Sequence, residues 1–405
     1  MPAEKNKKEL TVLSALRSWL WFALLSRPSC LKKNLLLCSF SGAEEIFDCR
    51  DEERFRALGM TDKDCEALLD KSLSRADAVI AECRRLGIRI MTLRDTAYPE
   101  KLRNLCDAPI VLYVLGELPS MDDHLTLACI GTRHPSLYGR AVASAFTDRL
   151  ARCGAVIVSG MAIGIDSDAA RAALKADCPT VAVLGCGVDV CYPRSSRDIY
   201  DWIPQKGAIV SEYPPGTEPL AGHFPERNRI MSGLADGVVI YEAADKSGTL
   251  ITARCALDQG RDVFCIPGNL GDSSAGTNGL IAAGEAKAVT RPWDILTEYT
   301  ARYGDIDTAE EKRQFRLGEI PQRVSSAASV SGICVKEEET VTPPAVSLSA
   351  DERVIYDLLT SGQKHIDEIL RETGMPAARV LTHLTLMEMK GRVKALPGKY
   401  YSVRY

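Results

Sequence analysis

The chain has 405 residues, of which 46% are hydrophobic and 26% are charged. That hydrophobic share is too high for a disordered protein, and 30 glycines without a regular period exclude a collagen-like one. Fifty basic residues against 54 acidic ones leave a net charge of −4, so any nucleic acid would have to be bound by a local patch.

The first 75 residues are predicted to form a small helical domain. Leucines recur at three- and four-residue steps from Leu10 to Leu24, and Pro28 ends that run. Further short helices are predicted at 43–47, 52–58 and 63–71. Such a domain is of the SAM or helix-hairpin-helix kind, and these residues do not decide whether it contacts protein or DNA.

No segment is expected to cross a membrane or to hold a metal. The apolar stretch from Leu10 to Leu25 is too short and carries Arg17 at its centre. Fourteen cysteines mostly stand where a small hydrophobic residue would, as free thiols do in a reducing cytosol. The closest metal-like spacing, Cys186-x4-Cys191, has no second pair beside it. We therefore expect a soluble, cytoplasmic protein without a cofactor.

Residues 76–303 alternate between apolar runs that end in glycine and stretches with a helical period. The apolar runs are short and continuous, which is typical of strands buried on both faces of a sheet. This predicts an α/β fold with an extended Rossmann-like, doubly wound, mostly parallel sheet, and a ligand site beyond the carboxyl ends of the strands. The predicted strand and helix pairs are 125–131 with 136–152, 155–160 with 166–175, 180–187 with 195–203, 207–212 with 227–234, 237–242 with 249–260, and 262–268 with 277–284.

The pattern changes again after residue 303. Residues 304–348 combine a serine-rich stretch, three consecutive glutamates and two consecutive prolines, and are predicted to be a flexible linker. Residues 349–405 are predicted to be a winged-helix domain. Its elements are helices at 351–360, 365–373 and 376–390 and a hairpin of 392–396 with 399–403.

Five loops at the predicted strand ends combine glycines with basic or hydroxyl side chains. Glycine allows close approach of the backbone, arginine can bind phosphate through two hydrogen bonds, and the start of a helix attracts anions. Four basic loops at one rim of a parallel sheet predict a phosphate-backbone or nucleotide site. Few aromatic residues lie beside them, which favours backbone contact over base recognition. The candidate residues are Gly131, Thr132, Arg133, Ser159, Gly160, Gly164, Asp166, Arg194, Arg227, Asn228, Arg229, Lys246, Ser247, Gly248 and Thr249.

Some of these candidates also have a purely structural explanation. Arg133 would suit a tight turn with a solvated side chain, and Asp166 would suit the first turn of a helix by capping and by the helix dipole. Arg227 and Arg229 oppose that dipole in the first turn of their helix, so a bound anion explains them better.

No catalytic group is evident in the sequence. His223 is the only histidine between positions 135 and 364, and no Ser–His–Asp or Cys–His order surrounds it. The chain is therefore not expected to be an enzyme.

Several of these motifs occur together in a known family. They are IGTR at 130–133, SGMAIGID at 159–166, VLGCGVDVCYP at 183–193, SEYPPG at 211–216, FPERNRIMSGL at 224–234 and SGTLITA at 247–253. Over about residues 80–390 the chain resembles the DNA-processing protein A family (DprA, also called Smf). The resemblance implies a cytoplasmic homodimer that binds single-stranded DNA entering a transforming bacterium. It further implies protection of that strand and loading of the RecA recombinase on it.

The resemblance also assigns residues by position. Arg133 corresponds to the arginine of the family's Gly-Ser-Arg motif, and Arg227 and Arg229 correspond to its paired arginines. Arg194 and Lys246 stand where the family carries basic residues. The chain departs from the family at Ala169-Ala170, where members commonly have Ala-His, and it lacks the Gly-Ile-Gly hairpin that some members have around positions 28–31.

Two other functions are compatible with parts of the sequence. A Rossmann-like enzyme related to nucleoside-monophosphate phosphoribohydrolases would need a glutamate three residues after Thr277, where this chain has Leu280. A transcription factor acting through 349–405 would need a basic recognition helix, whereas Arg379, His383 and Lys390 lie there beside Glu388. That domain is as often a protein-contact module.

Overall fold

The computed structural model describes residues 2–307, 350–360, 362–389, 392–396 and 400–403. The chain divides at residue 325 into two compact units. The predicted linker lies outside the described residues from 308 onwards. The first four residues of the predicted linker are part of the first unit. There Ile306 is buried, and Asp305 Oδ2 lies 2.6 Å from Nδ1 of His124.

The first unit opens with helices and continues as alternating strands and helices. Its helices are α1 (Pro2–Leu24), α2 (Cys30–Ser39), α3 (Ala43–Asp48), α4 (Glu52–Ala57), α5 (Asp62–Leu69), α6 (Ser74–Leu86), α7 (Glu100–Arg103), α8 (Leu137–Arg152), α9 (Ile165–Lys175), α10 (Arg197–Lys206), α11 (His223–Leu234), α12 (Thr249–Asp258), α13 (Ala275–Ala282) and α14 (Trp293–Leu296). Its strands are β1 (Arg89–Thr92), β2 (Val111–Gly116), β3 (Thr126–Ile130), β4 (Val156–Ser159), β5 (Thr180–Leu184), β6 (Ala208–Ser211), β7 (Gly237–Ile240), β8 (Asp262–Cys265) and β9 (Lys287–Ala288).

These strands form one sheet in the order β1-β2-β6-β5-β4-β3-β7-β8-β9. All neighbouring pairs in the run β6-β5-β4-β3-β7-β8-β9 are parallel, while β1 pairs with β2, and β2 with β6, in the antiparallel direction. The central strands are buried along their whole length, as continuous apolar runs require. The predicted Rossmann-like, mostly parallel sheet is thus confirmed, and each of its six predicted strands is present.

The helical part of the chain shares its core with one face of the sheet. One hydrophobic cluster joins Leu36 and Ile80 from the helices to Tyr113 and Ile209 from the strands. The predicted boundary at 75/76 lies inside α6, which ends at Gly87 in the left-handed conformation. The prediction missed both α2 and α6. Among the described residues, no helix is both long enough and apolar enough to cross a membrane.

The second unit has the elements of a winged helix. It contains α15 (Ala350–Thr360), α16 (Ile366–Thr373) and α17 (Ala377–Met389), with strands β10 (Lys364–His365), β11 (Val393–Leu396) and β12 (Tyr400–Val403). The predicted hairpin pairs β11 with β12 antiparallel, and β10 adds a third strand that the sequence did not indicate. Ile355, Ile369 and Leu384 lie in its core.

Candidate functional site

A cleft of about 600 Å³ opens beyond the carboxyl ends of the parallel strands. It lies where the strand order reverses, because β3 is followed along the chain by β4 on one side and has β7 on its other side. Ligands of doubly wound sheets bind at this kind of position. The cleft is lined by Ile130, Gly131, Thr132, Arg133, Ala162, Asp166, Tyr192, Pro219, Ala221, Phe224, Pro225, Arg227, Asn228, Met231, Ser247, Gly248, Thr249, Ile251 and Thr252.

The structure brings together most of the residues that the sequence singled out. Gly160 lines a smaller adjoining cavity of about 70 Å³. Neither cavity is lined by Ser159, Gly164, Arg194, Arg229 or Lys246. The predicted residues that line the cleft itself are Gly131, Thr132, Arg133, Asp166, Arg227, Asn228, Ser247, Gly248 and Thr249.

Gly164 determines how the loops after β3 and β4 fit together. It precedes α9 with a φ of 86°, a conformation that other residues rarely adopt. A Cβ atom there would also lie 2.5 Å from the carbonyl oxygen of Thr132. The N–H of Ile165 donates to that same carbonyl over 3.2 Å. Gly164 therefore positions the Thr132–Arg133 loop rather than a ligand.

Asp166 and Arg227 form a buried polar centre under the cleft. Both residues are only 5% exposed. The Asp166 carboxylate accepts hydrogen bonds from the N–H groups of Gly160 (3.0 Å) and Gly131 (3.3 Å). Burial raises the pKa of Asp166, while the nearby Arg227 and these N–H groups act in the opposite direction.

Arg227 joins the ends of two neighbouring strands. Its Nη1 donates to the carbonyl of Gly160, over 3.0 Å, and to that of Val183, and its Nε donates to Oδ1 of Asn228. Burial lowers the pKa of this guanidinium, and Asp166 opposes the shift. The sequence suggested that a bound anion accounts for Arg227, but the structure gives it internal partners.

Arg133 is the cationic side chain that remains open to solvent in the cleft. Within the part of the chain that the structure describes, no carboxylate pairs with it. Its guanidinium carbon lies 5.9 Å from the centre of the Phe224 ring. The loop that carries Thr132 and Arg133 is fixed in place, because the N–H of Thr132 donates to the carbonyl of Glu242 over 2.8 Å. An exposed, unpaired arginine on a fixed loop is suited to bind phosphate.

Two hydroxyl groups of the cleft lining, those of Ser247 and Thr249, lie at the start of α12. The Ser247 hydroxyl donates to the Thr249 hydroxyl over 3.0 Å and accepts from the N–H of Thr249 over 3.2 Å. Gly248, which precedes the helix, has no side chain to cap it. Hydroxyls and N–H groups at a helix start can donate to an anion.

Two aromatic rings also line the cleft, although the sequence indicated only few aromatic residues beside these loops. The rings of Tyr192 and Phe224 lie 5.5 Å apart at an angle of 34°, and Tyr192 is 39% exposed. Both residues belong to the sequence motifs beside Arg194 and Arg227, so their position at strand ends could have predicted that they line the cleft. An exposed ring beside an unpaired arginine can stack on a base.

Three of the predicted basic residues lie elsewhere. Arg229 is largely buried and pairs with Glu212 at 2.5 Å and with Asp107 at 3.5 Å. It also donates to the carbonyl of Asp107, which places it beside α2 rather than at the cleft. Arg194 and Lys246 are exposed outside the cleft lining.

The cleft can bind an anion and a flat ring, but it offers little for acid–base chemistry. Among the described residues that line it, Asp166 is the only carboxylate, and both of its oxygens already accept backbone N–H groups. His223 lies next to the lining residue Phe224, with Nδ1 3.1 Å from the Gly185 carbonyl and its ring stacked on Tyr213.

Comparison with known proteins gives a consistent result over both units. The family model for DNA recombination-mediator protein A matches residues 89–300, and the model for the DprA winged helix domain matches residues 339–399. Protein Smf of Escherichia coli (strain K12) is 38% identical over 309 residues, which are 76% of this chain and 75% of that protein. DNA processing protein DprA of Bacillus subtilis (strain 168) is 39% identical over 224 residues, which are 55% of this chain and 75% of that protein.

A solved structure shares the fold. The X-ray structure of DNA processing protein A from Streptococcus pneumoniae superposes with a TM-score of 0.60 and 32% identity, over 69% of this chain and 95% of that one. The family model covers more than half of the chain, and it includes every residue that lines the cleft. The chain therefore belongs to the DNA recombination-mediator protein A family.

Proposed function

We propose that this chain binds single-stranded DNA in the cleft at the switch point of its sheet and acts as a recombination mediator. The observation that carries the proposal is the exposed Arg133 beside the rings of Tyr192 and Phe224. Membership of the DNA recombination-mediator family supports the same function.

The chemistry of the cleft favours a single strand over a duplex. Arg133 and the hydroxyls of Ser247 and Thr249 can bind phosphate, which any nucleic acid presents. The rings can stack only on a base whose face is free, and in a duplex the faces are covered by neighbouring bases. A volume of about 600 Å³ is in the range of pockets for small ligands, so it suits a nucleotide rather than a base pair.

The finer features of the proposal come from the resemblance to the family. The chain works in the cytoplasm as a homodimer, protects the strand and helps to load RecA on it. It acts by binding rather than by catalysis, because the one carboxylate of the described cleft lining is occupied by backbone N–H groups.

Fluorescence anisotropy with a labelled dT oligomer and a duplex of equal length tests the binding step across a series of salt concentrations. We expect tighter binding of the single strand, with little dependence on its sequence. Affinity for both should fall as salt rises, because phosphate contacts release counterions. Equal or tighter binding of the duplex would contradict the proposal.

The mediator step needs a separate assay. RecA ATPase activity can be followed on a single strand coated with single-strand-binding protein, with and without this chain. A shorter lag in its presence supports loading, and an unchanged lag contradicts it. Sedimentation velocity at the same concentrations tests for the homodimer.

Nucleotide hydrolysis is the second candidate, because a cleft of this size at a Rossmann-like switch point also suits a nucleoside monophosphate. Incubation with nucleoside monophosphates, followed by chromatography for the free base, distinguishes the two functions. Release of base that the R133A variant fails to produce would establish the enzyme. We expect none.

A further inference from the structure

The helix α2 is apolar on two opposite faces. Leu36 and Phe40 are buried in the core of the first unit. On the other face Leu31 is 55% exposed and Leu35 is 50% exposed, and Cys38 follows one turn later, also exposed. A spacing of 31, 35 and 38 forms one stripe along a helix. A surface helix normally presents polar residues there, so this stripe indicates a contact surface.

The stripe forms one wall of an open groove of about 890 Å³. The opposite wall comes from the residues after β1 and around the end of α7. Trp19 also lines the groove, and its indole N–H has no hydrogen-bond partner among the described residues. The lining residues are Trp19, Leu31, Lys32, Asn34, Leu35, Leu37, Cys38, Ser41, Gly42, Leu93, Arg94, Arg103, Asn104, Leu105 and Cys106.

The charged side chains that line the groove are basic, and Glu44 lies beside them without lining it. Among the described residues that line it, Lys32, Arg94 and Arg103 are basic and none is acidic. Lys32 and Arg94 have carboxylate partners outside the lining, Asp64 at 2.6 Å and Glu44 at 2.9 Å. The second of these pairs is largely exposed, so water weakens it.

Arg103 keeps its charge available. It donates to the carbonyl oxygens of Asp95, over 2.6 Å, and Tyr98, over 3.2 Å, rather than to a carboxylate. These bonds hold the guanidinium at the edge of the groove without neutralising it. A partner that brings negative charge to this edge is attracted, and one that brings positive charge is repelled.

We propose that this groove docks an acidic, amphipathic peptide segment of a partner protein. Apolar side chains of the segment cover Leu31 and Leu35, and its carboxylates face Arg94 and Arg103. A nucleic acid fits this groove less well, because its phosphates gain nothing from apolar contact and the leucines offer no ring on which a base could stack. The ten residues of α2 span about 15 Å, which suits two to three turns of a peptide helix.

The groove is separate from the cleft at the switch point of the sheet, since the two share no lining residue. Docking therefore goes beyond the proposed function and can succeed or fail independently of it. It would bring a second protein to a chain that holds its strand elsewhere on the same unit.

A library of random 16-residue peptides displayed on phage tests the proposal. The library is selected on the full-length protein and counter-selected on the L31S/L35S double variant. Both leucines are half exposed, so the variant should fold, and circular dichroism with a thermal melt compared with the parent confirms that it does. We expect enrichment of peptides that combine Asp or Glu with Leu, Ile or Phe.

A synthetic copy of the most enriched peptide then gives the affinity. We expect the L31S/L35S variant to bind at least tenfold more weakly and R94Q to bind a few-fold more weakly. The control L270S replaces a leucine that is 97% exposed outside the groove and should bind as the parent does. Enrichment of basic or uncharged peptides, absence of any enriched peptide, or equal binding to L31S/L35S would overturn the proposal.

Discussion

The guanidinium of Arg133 lies 5.9 Å from the centre of the Phe224 ring, and that of Arg227 lies 6.0 Å from the same centre. The two arginines nevertheless differ in their surroundings. Arg133 is exposed in the cleft, whereas Arg227 is 5% exposed and donates to two backbone carbonyls. The same ring thus lies near an arginine that can contact a ligand and near one that supports the site, and substitutions should distinguish the two arginines.

Replacing Arg133 with alanine should weaken single-strand binding by about 10- to 100-fold, the value of a hydrogen bond to a charged group. The slope of affinity against salt should fall by about 0.7 for each phosphate that the variant no longer neutralises. The melting temperature should hardly change, because the side chain is exposed. Anisotropy titrations and thermal melts check this, with R84A, an exposed arginine on α6, as the matched control. Early melting with normal binding by the folded fraction would make Arg133 structural.

Replacing Arg227 with methionine should instead lower the free energy of unfolding by about 3 kcal/mol or more. The change removes the Arg227 donor from the carbonyls of Gly160 and Val183 and the neighbouring cation from the buried Asp166. Urea unfolding measures the loss, and R194A, on an exposed side chain, should change little. An R227M variant that keeps its stability but loses DNA binding would show that Arg227 contacts the DNA directly.

A buried ion pair near the start of β3 offers a test of stability away from the site. Lys101 Nζ lies 2.6 Å from Oδ2 of Asp236, and both side chains are almost fully buried. K101M should cost about 3–5 kcal/mol, since it removes one partner of a buried pair. Arg302 contacts the same carboxylate at 3.1 Å but is 59% exposed, so R302Q should cost less than about 1 kcal/mol. Similar losses from both would contradict this ranking.

Lys33 should make stability depend on pH. It is 6% exposed and donates to the carbonyls of Ala23 and Leu25, and burial lowers its pKa to about 8. The unfolded chain keeps a lysine pKa of about 10.4, so between pH 8 and that value it binds more protons than the folded protein. The free energy of unfolding contributed by this group therefore rises with pH across that window.

Comparison with the K33M variant isolates this contribution, because the cysteines that also titrate there are common to both proteins. From pH 7.5 to 9.5 the stability of the parent should increase by about 2 kcal/mol relative to K33M. Urea unfolding at the two pH values gives the difference. A difference that is constant with pH would show that Lys33 titrates normally.

The sequence predicted the sheet well because buried strands are continuous apolar runs between glycines. It missed β1 and β2 at the antiparallel edge, and it missed α2, whose leucines lie on both faces and give no one-sided period. The helix α6 did carry a signal, since its buried residues Ala76, Ile80 and Cys83 recur at helical spacing.

The candidate site was predictable in its position but not in its internal contacts. Strand ends of a parallel sheet meet at one rim, so the loops of Arg133 and Ser247 could be placed together. The direction of a side chain depends on tertiary packing, and the sequence did not show that Arg229 turns to Glu212. Tyr192 and Phe224 are 32 positions apart, so their contact is not visible as a motif.

The two units should differ in how much they contribute to single-strand binding. Every residue that lines the cleft belongs to the first unit, which extends to residue 325. A chain that ends at 325 should therefore bind a labelled dT oligomer within about threefold of the full-length affinity. Circular dichroism and thermal melts establish that the shortened chain folds, and anisotropy at two salt concentrations gives its affinity. The second unit carries mixed charge on its third helix, where Arg379 pairs with Asp351 at 2.5 Å, so it adds little attraction for phosphate. Loss of single-strand binding by a folded, shortened chain would place the principal DNA contacts in the winged helix instead of the cleft.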